Sequence, residues 1–106
     1  MNLETLVVDL VRRLTSQQAQ DRAIAAEEAT DIIHSLGELG PVLAGVLALV
    51  RLRESDLAAQ EAELHALAEL HEWGLVSTTT LEVLARLDRN SLDASQTEYL
   101  DYLLPA

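Results

Sequence analysis

A chain of 106 residues is long enough for one domain with its own hydrophobic core, without support from a metal ion or disulfide bonds. Cysteine is absent, which excludes a disulfide framework, a thiolate nucleophile and a cysteine-based zinc site. The net charge of -11 is uneven, since residues 1–53 carry five arginines and seven acids whereas residues 54–106 carry two arginines and eleven acids. This field repels nucleic acid and anionic membrane, so we expect a protein partner with a basic surface.

Apolar residues recur at helical spacing along nearly the whole sequence, and no stretch alternates with a period of two. This pattern predicts an all-α fold. Six helices are predicted, at about 3–14, 18–38, 41–52, 56–73, 78–88 and 93–104. Because phenylalanine is absent, the core between these helices must consist mainly of leucine, valine, isoleucine and alanine.

Capping and breaking residues set the limits of the first four helices. Asn2 is suited to cap the first helix. Gly40 and Pro41 are expected to end the second helix and open the third, because glycine suits a helix C-terminus and proline suits a first turn. The fourth helix is expected to stop at Gly74.

The last two predicted helices begin with the spacing of a capping box. Thr79 and Glu82 have this spacing at the start of the fifth helix, and Ser95 and Glu98 repeat it at the start of the sixth. The sixth helix is then expected to end before Pro105, which cannot continue it.

One segment of the sequence recurs at an offset of 34 residues. The run 36–40, LGELG, is matched by the run 70–74, LHEWG, and Glu27 is matched by Glu61. A fixed period of ~20 to ~50 residues is typical of stacked helical hairpins. Such units bury their apolar faces on their neighbours and usually present a binding surface.

The run 36–40, preceded by small residues and followed by an apolar helix and a short acidic turn, resembles that of HEAT-type repeats. The likeness covers about residues 22–88, and the second copy departs from it where His71 replaces the first glycine. The resemblance implies a short right-handed stack of antiparallel helical hairpins that serves as a protein-binding scaffold, with hairpins shorter than the family's ~40 residues. In general style the chain also resembles small acidic bacterial immunity proteins, which inactivate secreted toxins.

We therefore predict a single all-helical domain over residues 1–106. Helices two and three would form one hairpin at 18–52 and helices four and five another at 56–88, while the first helix and the C-terminal helix at 93–104 would cap the two ends. No targeting segment or bilayer-length apolar stretch is visible, so we expect a cytoplasmic protein without a membrane partner.

Two helix faces at matched repeat positions carry acids and histidine. They consist of Glu27, Asp31, His34 and Glu38 on helix two, and of Glu61, His65, Glu69 and Glu72 on helix four. The solvated face of an amphipathic helix explains both stripes. The sharper interpretation is an acidic recognition surface for a basic partner.

Metal binding and phosphoryl transfer are weaker interpretations of the same stripes. Ligands spread along a straight helix allow only an i,i+4 pair, such as Glu61 and His65, to meet one ion, so no metal site is expected. Phosphoryl transfer through His34 or His65 is disfavoured because the surrounding acids repel phosphoryl groups.

Two residues near the end of helix four have other expected roles. His71 projects onto the apolar arc of the helix and is expected to be a partly buried, hydrogen-bonded core residue. Trp73 is expected to plug the core beneath the Gly74 turn, and the alternative is an interface anchor.

The last helix places two tyrosines among acids, as a surface for arginine-rich proteins would. An ordinary amphipathic capping helix is the alternative. Residues expected to contact a protein partner are Glu61, His65, Glu69, Glu72, Trp73, Asp88, Glu98, Tyr99, Asp101 and Tyr102.

The sequence contains no glycine-rich phosphate loop, no serine-nucleophile elbow and no histidine-glutamate zinc motif, so neither an enzyme nor a cofactor is expected. The favoured interpretation is an immunity-type inhibitor that occludes a basic site on a toxin or nuclease. One alternative is a self-associating helical scaffold or regulatory adaptor, with a homodimer possible. Another is a histidine-based carrier of metal or phosphoryl groups.

Overall fold

The computed structural model describes residues 2–105, which contain six α-helices and no β-strand. The helices are α1 (Leu3–Leu14), α2 (Ala19–Asp31), α3 (Leu39–Arg53), α4 (Leu57–Glu72), α5 (Thr78–Leu84) and α6 (Ala94–Leu103). Short 3-10 helices follow α2 at Ile33–Ser35 and precede α6 at Arg89–Ser91. The all-α helical stack is therefore confirmed. Between residues 2 and 105, none of the helices combines the length and the apolar character that a bilayer crossing needs.

Side-chain caps fix the starts of four helices. Asn2 caps α1 as predicted, since its side chain accepts a hydrogen bond from a first-turn amide. The two predicted capping boxes are wrong by two residues. Ser77, not Thr79, caps α5, and Asp93, not Ser95, caps α6. In each case the earlier residue already has extended backbone geometry, so the helix begins before the predicted cap.

The second helix is shorter than predicted. It ends at Asp31 instead of residue 38, and the chain turns at Gly37, whose φ of 51° lies in the left-handed region. Gly40 does not end a helix but lies inside α3, where it is buried. A Cβ atom at Gly40 would stand 2.8 Å from Leu75 Cδ1, so this glycine lets α3 approach the segment that follows α4.

The helices form two layers, with α4 at the centre. One layer contains α2, α4 and α6, and the other contains α1, α3 and α5. Across the layers, α1 packs on α2 and α3 packs on α4. Neither predicted hairpin is present as a packed pair, because α2 makes at most slight contact with α3, and α4 makes at most slight contact with α5. The 34-residue period is the same whichever neighbouring helices are paired, so it could not identify the hairpin.

The structural repeat also includes α1, which was predicted to be a cap on the stack. Val8 and Glu4 of α1 lie 34 residues before Val42 and Glu38, which belong to α3 and its N-terminal turn. In the other layer Glu61 of α4 lies 34 residues before Ser95 of α6. Each layer is therefore a row of helices in which equivalent positions stand next to one another.

Small side chains let the central pair of helices approach closely. Ala25, Ala26 and Ala29 of α2 are fully buried, as is Ala66 of α4, and this helix pair has the most extensive contact in the fold. Leucines fill the space between the two layers, and those with almost no exposure include Leu10, Leu14, Leu36, Leu43, Leu47, Leu64, Leu67, Leu70, Leu84, Leu100 and Leu103.

A buried polar network joins the two layers near the C-terminus of α3. Arg51 donates a hydrogen bond of 2.6 Å to the side-chain oxygen of Gln96, which in turn donates to Gln60 at 3.2 Å. Arg22 donates two hydrogen bonds, of 2.6 and 2.7 Å, to the carboxylate of Glu54. Burial is the largest single influence on the pKa of Glu54 and raises it, but the hydrogen bonds that Glu54 makes, chiefly with Arg22, and the charge of Arg22 together outweigh burial and lower the pKa to about 2.

Glu63 of α4 lies beside this network and is fully buried. Among residues 2–105, neither of its carboxyl oxygens has a hydrogen-bond partner. Burial raises the pKa of Glu63 to about 9, and the negative charge of Glu54 acts in the same direction. Glu63 is therefore neutral at pH 7.

The close approach at Gly40 predicts opposite effects for two alanine substitutions in α3. Gly40→Ala should lower the free energy of unfolding by about 1–3 kcal/mol, because the new Cβ overlaps the side chain of Leu75. Gly45→Ala is the matched control, since the nearest atom to its Cβ is Thr80 Oγ1 at 3.8 Å. It should stabilise the fold by up to ~1 kcal/mol through helix propensity. Urea denaturation measures the free energy of unfolding of both variants. If Gly40→Ala stabilised the fold as much as Gly45→Ala does, the close approach of Gly40 to Leu75 would be wrong.

The burial of Glu63 predicts a pH-dependent stability. Because its pKa is about 9 in the folded chain against 4.5 ordinarily, its contribution is complete below pH 4.5 and is lost as the pH rises towards 9. Glu63→Gln removes this titration and should raise the free energy of unfolding at pH 7 by about 3 kcal/mol, with little change near pH 4.5. Glu54→Gln, which leaves Arg22 without its carboxylate, should destabilise at pH 7.

Urea denaturation of the wild-type chain and both variants at pH 5 and pH 8 measures these effects. A Glu63→Gln chain that is less stable than wild type at pH 8 would mean that Glu63 is ionised and stabilised by Arg51.

Candidate functional site

An open cleft of about 330 Å³ lies on the outer face of the α2–α4–α6 layer. Its walls are formed by Glu27, Ala58, Glu61, Ala62, His65 and Tyr99. Glu27 and Glu61 occupy equivalent repeat positions on α2 and α4, and both line this cleft. The stripes predicted on helices two and four therefore lie next to each other here.

The contacts inside the cleft leave its carboxylates without basic partners. Ser95 donates its hydroxyl proton to Glu61 Oε1. His65 Nε2 lies 3.4 Å from Glu69 Oε1, and the His65 ring centroid lies 5.5 Å from that of Tyr99. In the chain from residue 2 to 105, no salt bridge involves Glu61 or Glu27. The cleft is therefore acidic and has one aromatic wall.

A second tyrosine extends this surface along α4. The Tyr102 hydroxyl donates a hydrogen bond to Glu72 Oε2, and this bond raises the pKa of Tyr102 above its ordinary value. The Tyr102 ring also meets the edge of His71, with a centroid distance of 5.5 Å. His71 is half-buried, in line with its predicted position, but its Nδ1 has no hydrogen-bond partner among the described residues.

Six of the ten predicted partner-binding residues thus lie along neighbouring faces of α4 and α6, where Glu61 contacts Ser95, His65 contacts Glu69 and Tyr99, and Glu72 contacts Tyr102. We call this surface the acid–tyrosine band, and it consists of Glu61, His65, Glu69, Glu72, Tyr99 and Tyr102. The four members on α4 are spaced by three or four residues and so share one helix face. The band is the part of the predicted site that the structure brings together.

The other four predicted residues have separate positions. Glu98 is exposed on α6. Asp88 caps the 3-10 helix before α6, where its side chain accepts a hydrogen bond of 3.0 Å from the amide of Asn90. Asp101 accepts a hydrogen bond of 2.5 Å from Arg89, so an internal arginine already neutralises it. The fourth residue is Trp73.

Trp73 does not plug the core, since its relative exposure is 59%. The end of α4 explains this. Gly74, with φ of 73°, donates its amide proton to His71 O, and Leu75 donates to Leu70 O, which is the hydrogen-bond pattern of a Schellman motif. This turn directs Leu75 towards Gly40, so Leu75 takes the place that Trp73 was expected to fill.

The stripe predicted on helix two is interrupted. Only Glu27 and Asp31 lie on α2, while His34 lies in the 3-10 turn and Glu38 lies just before α3. No group of three or more histidine, aspartate or glutamate residues between positions 2 and 105 is arranged to hold a metal ion.

The buried charges near the network were not predicted from the sequence. Glu63 follows Ala59 by four residues and precedes Ala66 by three, so it lies on the buried arc of α4. Arg51 likewise follows the buried Leu47 by four residues. A charged residue on an apolar helix arc was the sequence feature that could have indicated them.

No protein-family model matches the sequence, and no curated protein or solved structure is significantly similar to it.

The exposure of Trp73 predicts that its removal has little effect on folding. Trp73→Ala should change the free energy of unfolding by no more than ~0.5 kcal/mol. Leu70→Ala, at a fully buried position of the same helix, should cost about 2–5 kcal/mol. Urea denaturation measures both. Similar losses for the two variants would mean that the indole packs in the core.

Proposed function

We propose that this chain is a protein-binding module that covers a basic site on its partner through the acid–tyrosine band. Support comes from one observation above all, the cleft in which Glu27 and Glu61 stand beside Tyr99 without an internal basic partner. Residues 54–106 contain eleven acids and only two arginines, and one of these arginines, Arg89, already pairs with Asp101. The surface therefore carries charge that a partner can neutralise.

The chemistry of the cleft favours an arginine side chain as its occupant. A guanidinium group can donate two parallel hydrogen bonds to one carboxylate, and its flat face can stack on an aromatic ring. Glu27 or Glu61 supplies the carboxylate, and Tyr99 supplies the ring. A lysine ammonium would meet the charge but would gain less from the planar wall.

The kind of partner follows from this preference. Enzymes that bind phosphates, nucleases among them, hold them with arginine and lysine, so an acidic surface that pairs with those residues competes directly with the substrate. The proposed mechanism is occlusion, as in an immunity-type inhibitor of a bacterial toxin acting in the cytoplasm. Long-range attraction between the acidic surface and a basic partner would also speed their encounter.

A short arginine-rich peptide is a direct probe of the cleft. Its titration into isotope-labelled protein should shift the amide resonances of Glu61, His65 and Tyr99 more than those of α5. Glu61→Gln should weaken binding about tenfold, which corresponds to about 1.4 kcal/mol. Glu82→Gln removes one charge at an exposed position of α5 and is the matched control.

Equal weakening by Glu61→Gln and Glu82→Gln would mean that only the overall charge matters, and the cleft proposal would be wrong. The native partner is tested by co-expression with the product of the neighbouring gene. A complex that forms equally well with wild type and with a Glu61→Gln, Glu69→Gln, Glu72→Gln chain would overturn the acidic-surface proposal.

A further inference from the structure

An apolar strip lies on the outer face of the α1–α3 layer, away from the acid–tyrosine band. Three of its side chains are large and exposed, namely Val8 at 67%, Val42 at 56% and Leu49 at 55%. Val8 and Val42 line one groove together with Val11 and Leu39. Leu49 follows Val42 by seven residues and so lies on the same face of α3. An exposed apolar strip of this kind marks an interaction surface.

Helices α1 and α3 run in the same direction along this face. Their N-terminal ends share a cleft that includes Leu3 and Leu39, and their C-terminal ends share another that includes Leu14 and Val50. Equivalent positions along the two helices therefore lie at similar heights, and the strip has two chemically distinct ends.

The charges at the two ends of the strip are opposite. Glu4 and Glu38 line the cleft at the N-terminal end. Arg12 of α1 and Arg53 of α3 are exposed at the C-terminal end. Arg12 also pairs with Asp9 of its own helix, and Arg53 lines the cleft beside Glu54, whose charge Arg22 already meets. The valines and Leu49 lie between these ends. The face is thus an apolar strip with an acidic end and a basic end.

We infer that this face binds a second copy of the chain, related by a twofold axis that makes the α1 helices antiparallel. Such an axis places the acidic end of α1 in one copy near the basic end of α1 in the other, twice, while Val8 and Val42 of the two copies cover each other. Val8 lies midway between Glu4 and Arg12, about 6 Å along the helix from each. An axis passing near Val8 therefore brings Glu4 of each copy opposite Arg12 of the other.

The charge distribution also favours this layer over the other for self-association. Helices α1, α3 and α5 together carry four arginines against three acids, so two copies of this layer repel each other weakly. Helices α2, α4 and α6 carry one arginine against ten acids, and two copies of that layer would repel strongly. A strip of a few side chains is small, which predicts a micromolar dimer instead of an obligate one.

Sedimentation equilibrium from micromolar to millimolar concentration tests the dimer. Wild type should pass from monomer to dimer, and Val42→Glu should weaken the association about tenfold or more, because it buries an unpaired charge. Leu57→Glu is the control, since Leu57 is also exposed, at 62%, but lies on α4 in the other layer. It should leave the association unchanged.

Charge exchange tests the antiparallel arrangement. Glu4→Arg alone and Arg12→Glu alone should each weaken the dimer, because each places like charges opposite each other. The Glu4→Arg, Arg12→Glu double variant inverts the pattern and should restore the association. Circular dichroism controls for the fold of each variant.

A cysteine placed near the axis gives an independent measurement. The chain has no cysteine, so Val8→Cys introduces a single thiol that should form an intermolecular disulfide rapidly under mild oxidation. Leu57→Cys should not do so at the same concentration. A wild-type chain that stays monomeric, a dimer that Val42→Glu leaves intact, or a double variant no stronger than the single variants would each overturn the inference.

Discussion

The hydrogen-bonded chain from Arg51 through Gln96 to Gln60 determines how the last helix sits on the stack. Buried polar groups are satisfied only where donors and acceptors meet, so sliding α6 along α4 would break the hydrogen bonds of Arg51 Nη2 and of the Gln96 amide at a large cost. The register that they fix also places Tyr99 beside the cleft and Ser95 on Glu61. The geometry of the acid–tyrosine band therefore depends on a network that lies beneath it.

Much of the helical pattern could be predicted from the sequence, because periodicity and caps are local properties. The bounds of α1 were correct and those of α4 and α6 were within one residue at each end. The end of α2 was missed because Ile32, Ile33 and Leu36 continue the apolar spacing through a 3-10 turn. In the structure α2 ends at Asp31, a 3-10 helix follows it, and Gly37 with its positive φ turns the chain into α3.

In the candidate site, too, the positions set by one helix could be predicted from the sequence, and those set by tertiary packing could not. Glu61, His65, Glu69 and Glu72 lie on one regular helix, so helical projection alone placed them on one face. The position of Trp73 depends on the turn at Gly74 and on the space that Gly40 leaves for Leu75, which are tertiary properties. The protonation of Glu63 likewise follows from burial against other helices, which spacing in one helix cannot measure.

The 34-residue period explains why the molecule has two different faces. In the α1–α3–α5 layer, Val8 and Val42 occupy equivalent positions of the repeat and both are exposed, so the outer face of this layer is apolar there. In the other layer, equivalent positions repeat Glu27 as Glu61 and continue to Ser95, so the row is acidic and polar. Association through the apolar row would leave both acidic rows open on opposite sides of the dimer. Such a particle presents two copies of the proposed binding surface, and a partner with paired basic sites would gain affinity by engaging both.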